Sequence, residues 1–195
     1  MNKKIKVIII GFVIIMIASF FLIKRSIAID IQEKAIELKE NGKNEDAIKK
    51  INLAIRLSPK NYLFYVTKAN FLESQKEYRK AIEEYDKINR FKKNYAEGFL
   101  KTGIDFEKIG YQDSAKLRYT KALEAYNCRI QDYANDKEKL YSELLNRACV
   151  YLLIEDTLQA EKEFKNLERT YPEYRIMITE FLKIKNRKEL LDIFN

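Results

Sequence analysis

Cys128 and Cys149 are the two cysteines of this chain, and their thiols are the first groups to weigh as chemistry. A nucleophilic cysteine needs a base beside it, and two thiolates alone do not complete a four-coordinate zinc site. The chain contains no histidine and no tryptophan. Its lack of imidazole removes the usual general base and a common metal ligand. Glu83 and Glu84 are neighbours, so on a helix their carboxylates point apart instead of converging on a substrate. The five glycines, at 11, 42, 98, 103 and 110, are too scattered for a phosphate-cradling loop. Arg90, Lys92 and Lys93 form the densest basic cluster. It reads as a solvated turn, with a phosphate or lipid headgroup as the alternative contact. The expectation is a chain without catalytic residues, metal or cofactor.

The net charge of +8 does not mark a nucleic-acid binder. Residues 1–25 hold five of the 37 basic residues and no acidic one, leaving 32 basic against 29 acidic, or +3, for the rest. Those charges alternate along the sequence as they do on solvated helix faces.

What positions these residues is a repeat. Ala47, Ala81 and Ala115 lie 34 residues apart. Twelve residues before each stands a small residue, Ala35, Ala69 or Gly103, and nine before stands Leu38, Leu72 or Phe106. Ile51, Tyr85 and Tyr119 follow by four, and Ala54, Ile88 and Ala122 by seven. The intervals of three, four and seven place these residues on one helix face. Small residues let two helix backbones approach, and the large ones fill the space left between them. Each unit breaks near its middle at a polar stretch, Glu40–Glu45 in the first and Ile109–Asp113 in the third, where a glycine suits the helix stop and Asp or Asn the next cap, so each unit reads as helix, tight turn, helix.

This pattern resembles the tetratricopeptide repeat family, in a membrane-anchored bacterial form. The family's small residue, alanine, aromatic, small residue and proline correspond to Ala35, Ala47, Ile51, Ala54 and Pro59 in the first unit. The second has Ala69, Ala81, Tyr85 and Ile88, with Lys93 at the proline site; the third has Gly103, Ala115, Tyr119 and Ala122, with Asn127 there. A fourth has Ala148, Ala160, Phe164, Leu167 and Pro172, offset by 11 extra residues around Ile130–Leu140. Ile31, Tyr65, Phe99 and Leu144 stand where the family often has tryptophan. The resemblance implies an all-α, right-handed solenoid of about four helix-turn-helix repeats. Their bounds are 28–61, 62–95, 96–140 with a lengthened second helix turning near Asp136–Lys139, and 141–172. Residues 173–195 follow as a capping helix and tail: Tyr174, Met177, Ile178, Phe181 and Leu182 form an apolar face, and Leu190, Leu191 and Phe194 follow it. Cys128 lies two residues off the stripe through Tyr126 and Ile130, so two separate thiols are expected.

The resemblance further implies that the first helices of the units line a concave groove. Carried over, the groove sites are Ile29, Gln32, Ile36 and Lys39; Leu63, Val66, Asn70 and Glu73; Glu97, Leu100, Lys101, Ile104 and Glu107; and Ser142, Leu145, Cys149 and Leu152. Some relatives grip a C-terminal carboxylate there with lysine and asparagine. Only Asn70 and Lys101 match that here, so an apolar or amphipathic partner segment is the expected ligand. The alternative is that the chain fills its own groove, through the lengthened helix, the tail or a second copy.

Val7–Ile23 is free of charge over 17 residues, which as helix span about 26 Å. Two readings are open: an uncleaved anchor at residues 1–27, or a signal peptide cut after Ser26-Ile27-Ala28. The charges Lys24 and Arg25 directly before that site favour the anchor. Lys3, Lys4 and Lys6 on the short tail favour its retention in the cytoplasm, which puts the repeats on the extracytoplasmic side, although five Lys or Arg in the next 20 residues oppose the bias. No proline or glycine occurs between Phe12 and Asn41, so the membrane helix either continues into the first repeat or breaks near Lys24–Ala28. The sequence thus describes a membrane-anchored adaptor that binds a protein or peptide partner, or else a structural subunit that self-associates or completes a larger envelope complex.

Overall fold

The computed structural model describes residues 3–184 and 186–193, with side chains from residue 9 onward. Phe194, expected in the tail, lies outside the described residues. Among them the regular structure is ten α-helices and one 3-10 turn, an all-α fold of successive helix pairs as the repeat predicts. Two compact units make up the chain, residues 1–75 and 76–195.

The first unit holds α1 (Lys3–Glu40), α2 (Asn44–Leu57) and α3 (Tyr62–Ser74). With nothing to break it, α1 is one helix of 38 residues, and the alternative of a break near Lys24–Ala28 is not what forms. Its first part exposes Phe12, Ile15, Phe21 and Leu22, and the helix is long and apolar enough to cross a membrane. Its second part buries Ala28 and Ala35 against Ala47, Ile51 and Ala54 of α2, with Phe64 and Phe71 of α3 completing the core.

The second unit runs α4 (Tyr78–Asn89), α5 (Ala96–Lys108), α6 (Gln112–Asp132), α7 (Lys137–Leu153) and α8 (Thr157–Thr170). Each packs on the next. A 3-10 turn at Pro172–Tyr174 leads to α9 (Arg175–Leu182) and α10 (Arg187–Ile193). α9 covers the end of α8: Phe181 stacks on Phe164 at 5.7 Å, Tyr174 stacks on Tyr141 at 4.1 Å, and Ile178 is fully buried. Met177, expected on that face, is turned to solvent. The turn after the long α6 falls at residues 133–136, slightly earlier than expected. The cause is Asp136, whose carboxylate accepts the Lys139 N–H and so starts α7 at Lys137.

The helix stops repeat as faithfully as the core. Gly42, Lys76, Gly110 and Glu155 all have positive φ, at 73°, 60°, 80° and 67°. Three are spaced by 34, and Glu155 keeps the register once the 11-residue insertion is counted. Around Gly42, Gly110 and Glu155 the next residue's N–H reaches back to the carbonyl five before it: Lys43 to Leu38, Tyr111 to Phe106, and Asp156 to Tyr151. This six-to-one bond closes a helix end only around a left-handed residue.

Gly103 shows why one small position is smaller than alanine. A Cβ built on it would lie 2.3 Å from the Tyr119 ring, which is fully buried. That ring is pinned at its hydroxyl, which donates to Glu107 at 2.7 Å. Gly103→Ala should therefore lose stability by roughly 1–2 kcal/mol, overpacking outweighing the gain in helix propensity. Lys76→Gly and Glu155→Gly should each gain roughly 0.5–1 kcal/mol by relieving a left-handed side chain. Thermal melts followed by circular dichroism in detergent check both signs. A stabilised Gly103→Ala would mean that the Tyr119 ring moves freely.

Candidate binding faces

The expected groove residues fall into one set in each unit, and the two sets differ in kind. In the first unit α1 and α3 lie side by side, joined where Gln32 Nε2 donates to Thr67 Oγ1 at 2.6 Å. That bond aligns two stripes spaced by three and seven residues. Ile29 and Ile36 of α1 are each 38% exposed and Leu63 of α3 is 49% exposed. Val66 beside them is half-buried and Asn70 is exposed at the far end. The result is an apolar face on packed helices, open to solvent.

In the second unit the corresponding residues are covered. Leu100, Ile104, Cys149 and Leu152 are at most 8% exposed and belong to one core with Leu190 of α10 and Ile178 of α9. They do not line an open groove, contrary to the carry-over from the family pattern. Leu152 borders a half-open pocket of about 240 Å³ lined also by Phe164, Phe181 and Ile184. Lys101 and Leu145 are half-buried. Burial also decides the cysteine question: Cys149 is inside, Cys128 is exposed, and both are free. Burial pushes the Cys149 thiol up to about 12, which makes it a poor nucleophile near neutral pH.

Glu97 is committed elsewhere. Its carboxylate accepts both Arg129 Nη1 contacts, at 2.6 and 2.7 Å, and Arg129 reaches Glu143 of α7 with its other nitrogen. One guanidinium on α6 thus ties α5 to α7. Glu143 is 3% exposed, and its Oε2 has no hydrogen-bond partner. Burial pushes its carboxyl above the ordinary 4.5, with Arg129 opposing. Glu107 is likewise engaged: it accepts from Tyr119 and from Arg187 of α10, the latter at 3.0 Å. Neither link was legible beforehand. The only trace in the sequence is a carboxylate recurring on faces otherwise apolar.

The other charged residues singled out in the sequence do not converge on one site. Glu83 and Glu84 do point apart: Glu83 is exposed, while Glu84 is 4% exposed and accepts from Lys87 at 2.8 Å. Arg90 and Lys93 are solvated beyond α4, and Lys92 lies over the Tyr95 ring at 4.9 Å. Among the described residues no group of three or more His, Cys, Asp or Glu is placed to hold a metal ion.

No protein family's sequence profile matches the chain. Solved structures do match at the level of fold. A crystal structure of MamA aligns with TM-score 0.53 at 16% identity, over 75% of this chain and 81% of that one. A MamA RS-1 ArsTM double mutant aligns with TM-score 0.50 at 16% identity, over 73% and 76%. MamA 41-end from Desulfovibrio magneticus RS-1 gives TM-score 0.49 at 15% identity, over 74% and 77%. The first two support a tetratricopeptide-type helical fold. At this identity the likeness speaks for fold alone.

The Arg129 cluster gives a paired test. Arg129→Ala strands the buried Glu143 carboxylate and should cost roughly 3–5 kcal/mol. Because the folded state holds the Glu143 proton more tightly than the unfolded one, stability should fall as pH rises from 4.5 through the raised folded value. Glu143→Gln should flatten that segment of the pH–stability curve. An unchanged slope in the variant would show that Glu143 is not the group responsible.

Proposed function

We propose that this chain is a membrane-anchored adaptor of tetratricopeptide type that holds a partner protein or peptide segment against the first-helix faces of its repeats. The observation that carries the reading is the open apolar face of α1 and α3, with Ile29, Ile36 and Leu63 exposed on helices already packed on their other sides. Such a face is enriched at interaction sites, and a rigid helical frame lets it bind without an ordering cost. The expected partner segment is apolar or amphipathic. Fold-level likeness to MamA is compatible with protein binding and adds no particular ligand.

The anchor reading is supported by helix continuity. Ala28 is fully buried in the first core, so a cut after it would remove a core residue and leave α1 without its start. The membrane helix then runs straight into the first repeat, so the α1–α3 face lies within a few helical turns of the lipid. The three lysines of the N-terminal tail support its cytoplasmic retention and an extracytoplasmic repeat region.

The second reading is a structural subunit that self-associates through the same apolar face. A photo-reactive residue at position 63 in cells separates the two. The adaptor reading expects an adduct with a different polypeptide, and an adduct with a second copy of this chain alone transfers the function to the second reading. Leu63→Asp and Ile36→Asp should each reduce partner capture at least about tenfold, as loss of an apolar anchor does. Capture unchanged in both variants sinks the proposed face.

Sidedness has a native probe. In intact spheroplasts a membrane-impermeant maleimide should label the exposed Cys128, and buried Cys149 should react only after denaturation. Labelling of Cys128 that requires lysis would place the repeats in the cytoplasm.

A further inference from the structure

The C-terminal helix is the part of the fold that the repeat pattern does not explain. α10 has only seven residues, too few to be stable alone. It nevertheless packs on α7, and Leu190 is fully buried in a core that includes Leu100, Ile104, Cys149 and Leu152. Its first residue, Arg187, crosses 80 positions of sequence to Glu107 on α5, at 3.0 and 3.2 Å. Both partners of that ion pair are largely shielded, with 22% and 13% of their side chains exposed. Opposite α10's buried side, Lys188, Glu189 and Asp192 face solvent. This is an amphipathic helix packed on α7 and tied by one ion pair to α5, the first helices of two repeats, the position at which the proposed function puts a partner.

We propose that α10 is the chain's own occupant of the α5–α7 face, and that a partner enters there as a short amphipathic helix of the same chemistry. That chemistry is a cation to meet Glu107 and, three residues later, a leucine to fill the place of Leu190. The arrangement deepens the adaptor reading and rests on it. Glu107 supplies the specificity: its carboxylate is fixed by the Tyr119 hydroxyl at 2.7 Å, so an entering helix with an acidic residue at that point is rejected. The apolar floor supplies affinity, and the tethered copy sets the threshold that a partner must exceed. An intramolecular ligand competes at an effective concentration in the millimolar range.

The test uses the full chain in detergent and a fluorescent peptide of residues 186–195, with a lactam joining Lys188 to Asp192 to preform the helix. The peptide should bind a chain ending at residue 186 at least about tenfold more tightly than it binds the intact chain. Changing Arg187→Glu or Leu190→Asp in the peptide should lower that affinity at least about tenfold, and Arg187→Lys should keep much of it. Equal affinity for the intact and shortened chains overturns the proposal, as does absence of binding to a shortened chain that keeps its helical circular dichroism. Should the shortened chain not fold, the intact chain carrying Arg187→Glu replaces it. That variant should bind the wild-type peptide more tightly than the unaltered chain, and no gain overturns the proposal. No partner is present in these measurements, so they fail independently of crosslinking at position 63.

Discussion

Two helices can share a core only where their backbones come close, and in this chain that approach is set by residues that have almost no side chain. Ala35, Ala47, Ala69, Ala81, Ala115, Ala148 and Ala160 are all fully buried, and Gly103 takes the same place where Tyr119 leaves no room even for a methyl group. Larger residues beside them, Ile51, Tyr85, Tyr119 and Phe164, fill the volume that the approach opens. Change the small position and the large one has nowhere to go, because a packed interior gives way little. The left-handed stops at 42, 76, 110 and 155 then fix where each helix ends relative to that contact. Packing and termination are therefore one repeated device.

The same device decides which faces remain free. Small residues commit one side of each first helix to its own pair, and the opposite side is left to whatever covers it. In the first unit the stripe of Ile29, Ile36 and Leu63 stays exposed among the described residues. In the second unit α9 and α10 fold over the equivalent residues, and Arg129 and Arg187 stitch the carboxylates among them. Two stretches of one repeat pattern thus offer different surfaces. The difference arises from the tail and not from the repeats.

Some of this was legible in advance for a definite reason. Core residues at intervals of three, four and seven report local helix geometry, so Ala47, Ile51 and Ala54 announce their burial without reference to anything distant. The absence of glycine and proline between Phe12 and Asn41 allowed an uninterrupted α1 but equally left room for a break near Lys24–Ala28, and only the fold chose continuity. Conversely, Leu100, Ile104, Cys149 and Leu152 were placed on an open face, because their apolar character says only that they seek cover. Whether a partner or the chain itself provides it depends on residues as far away as Leu190.

Sequence alone determined the all-helical repeat, its register, its small-residue contacts and a membrane-length apolar helix, because each is a property of neighbours within one or two turns or of a fixed period. Only the tertiary structure decided that Arg187 meets Glu107, that Arg129 bridges Glu97 and Glu143, and that the C-terminal helix takes the α5–α7 face. Those pairings join residues from 14 to 80 positions apart. A charge in a sequence carries no mark of its partner until folding brings the two within reach and excludes the water that would otherwise solvate both.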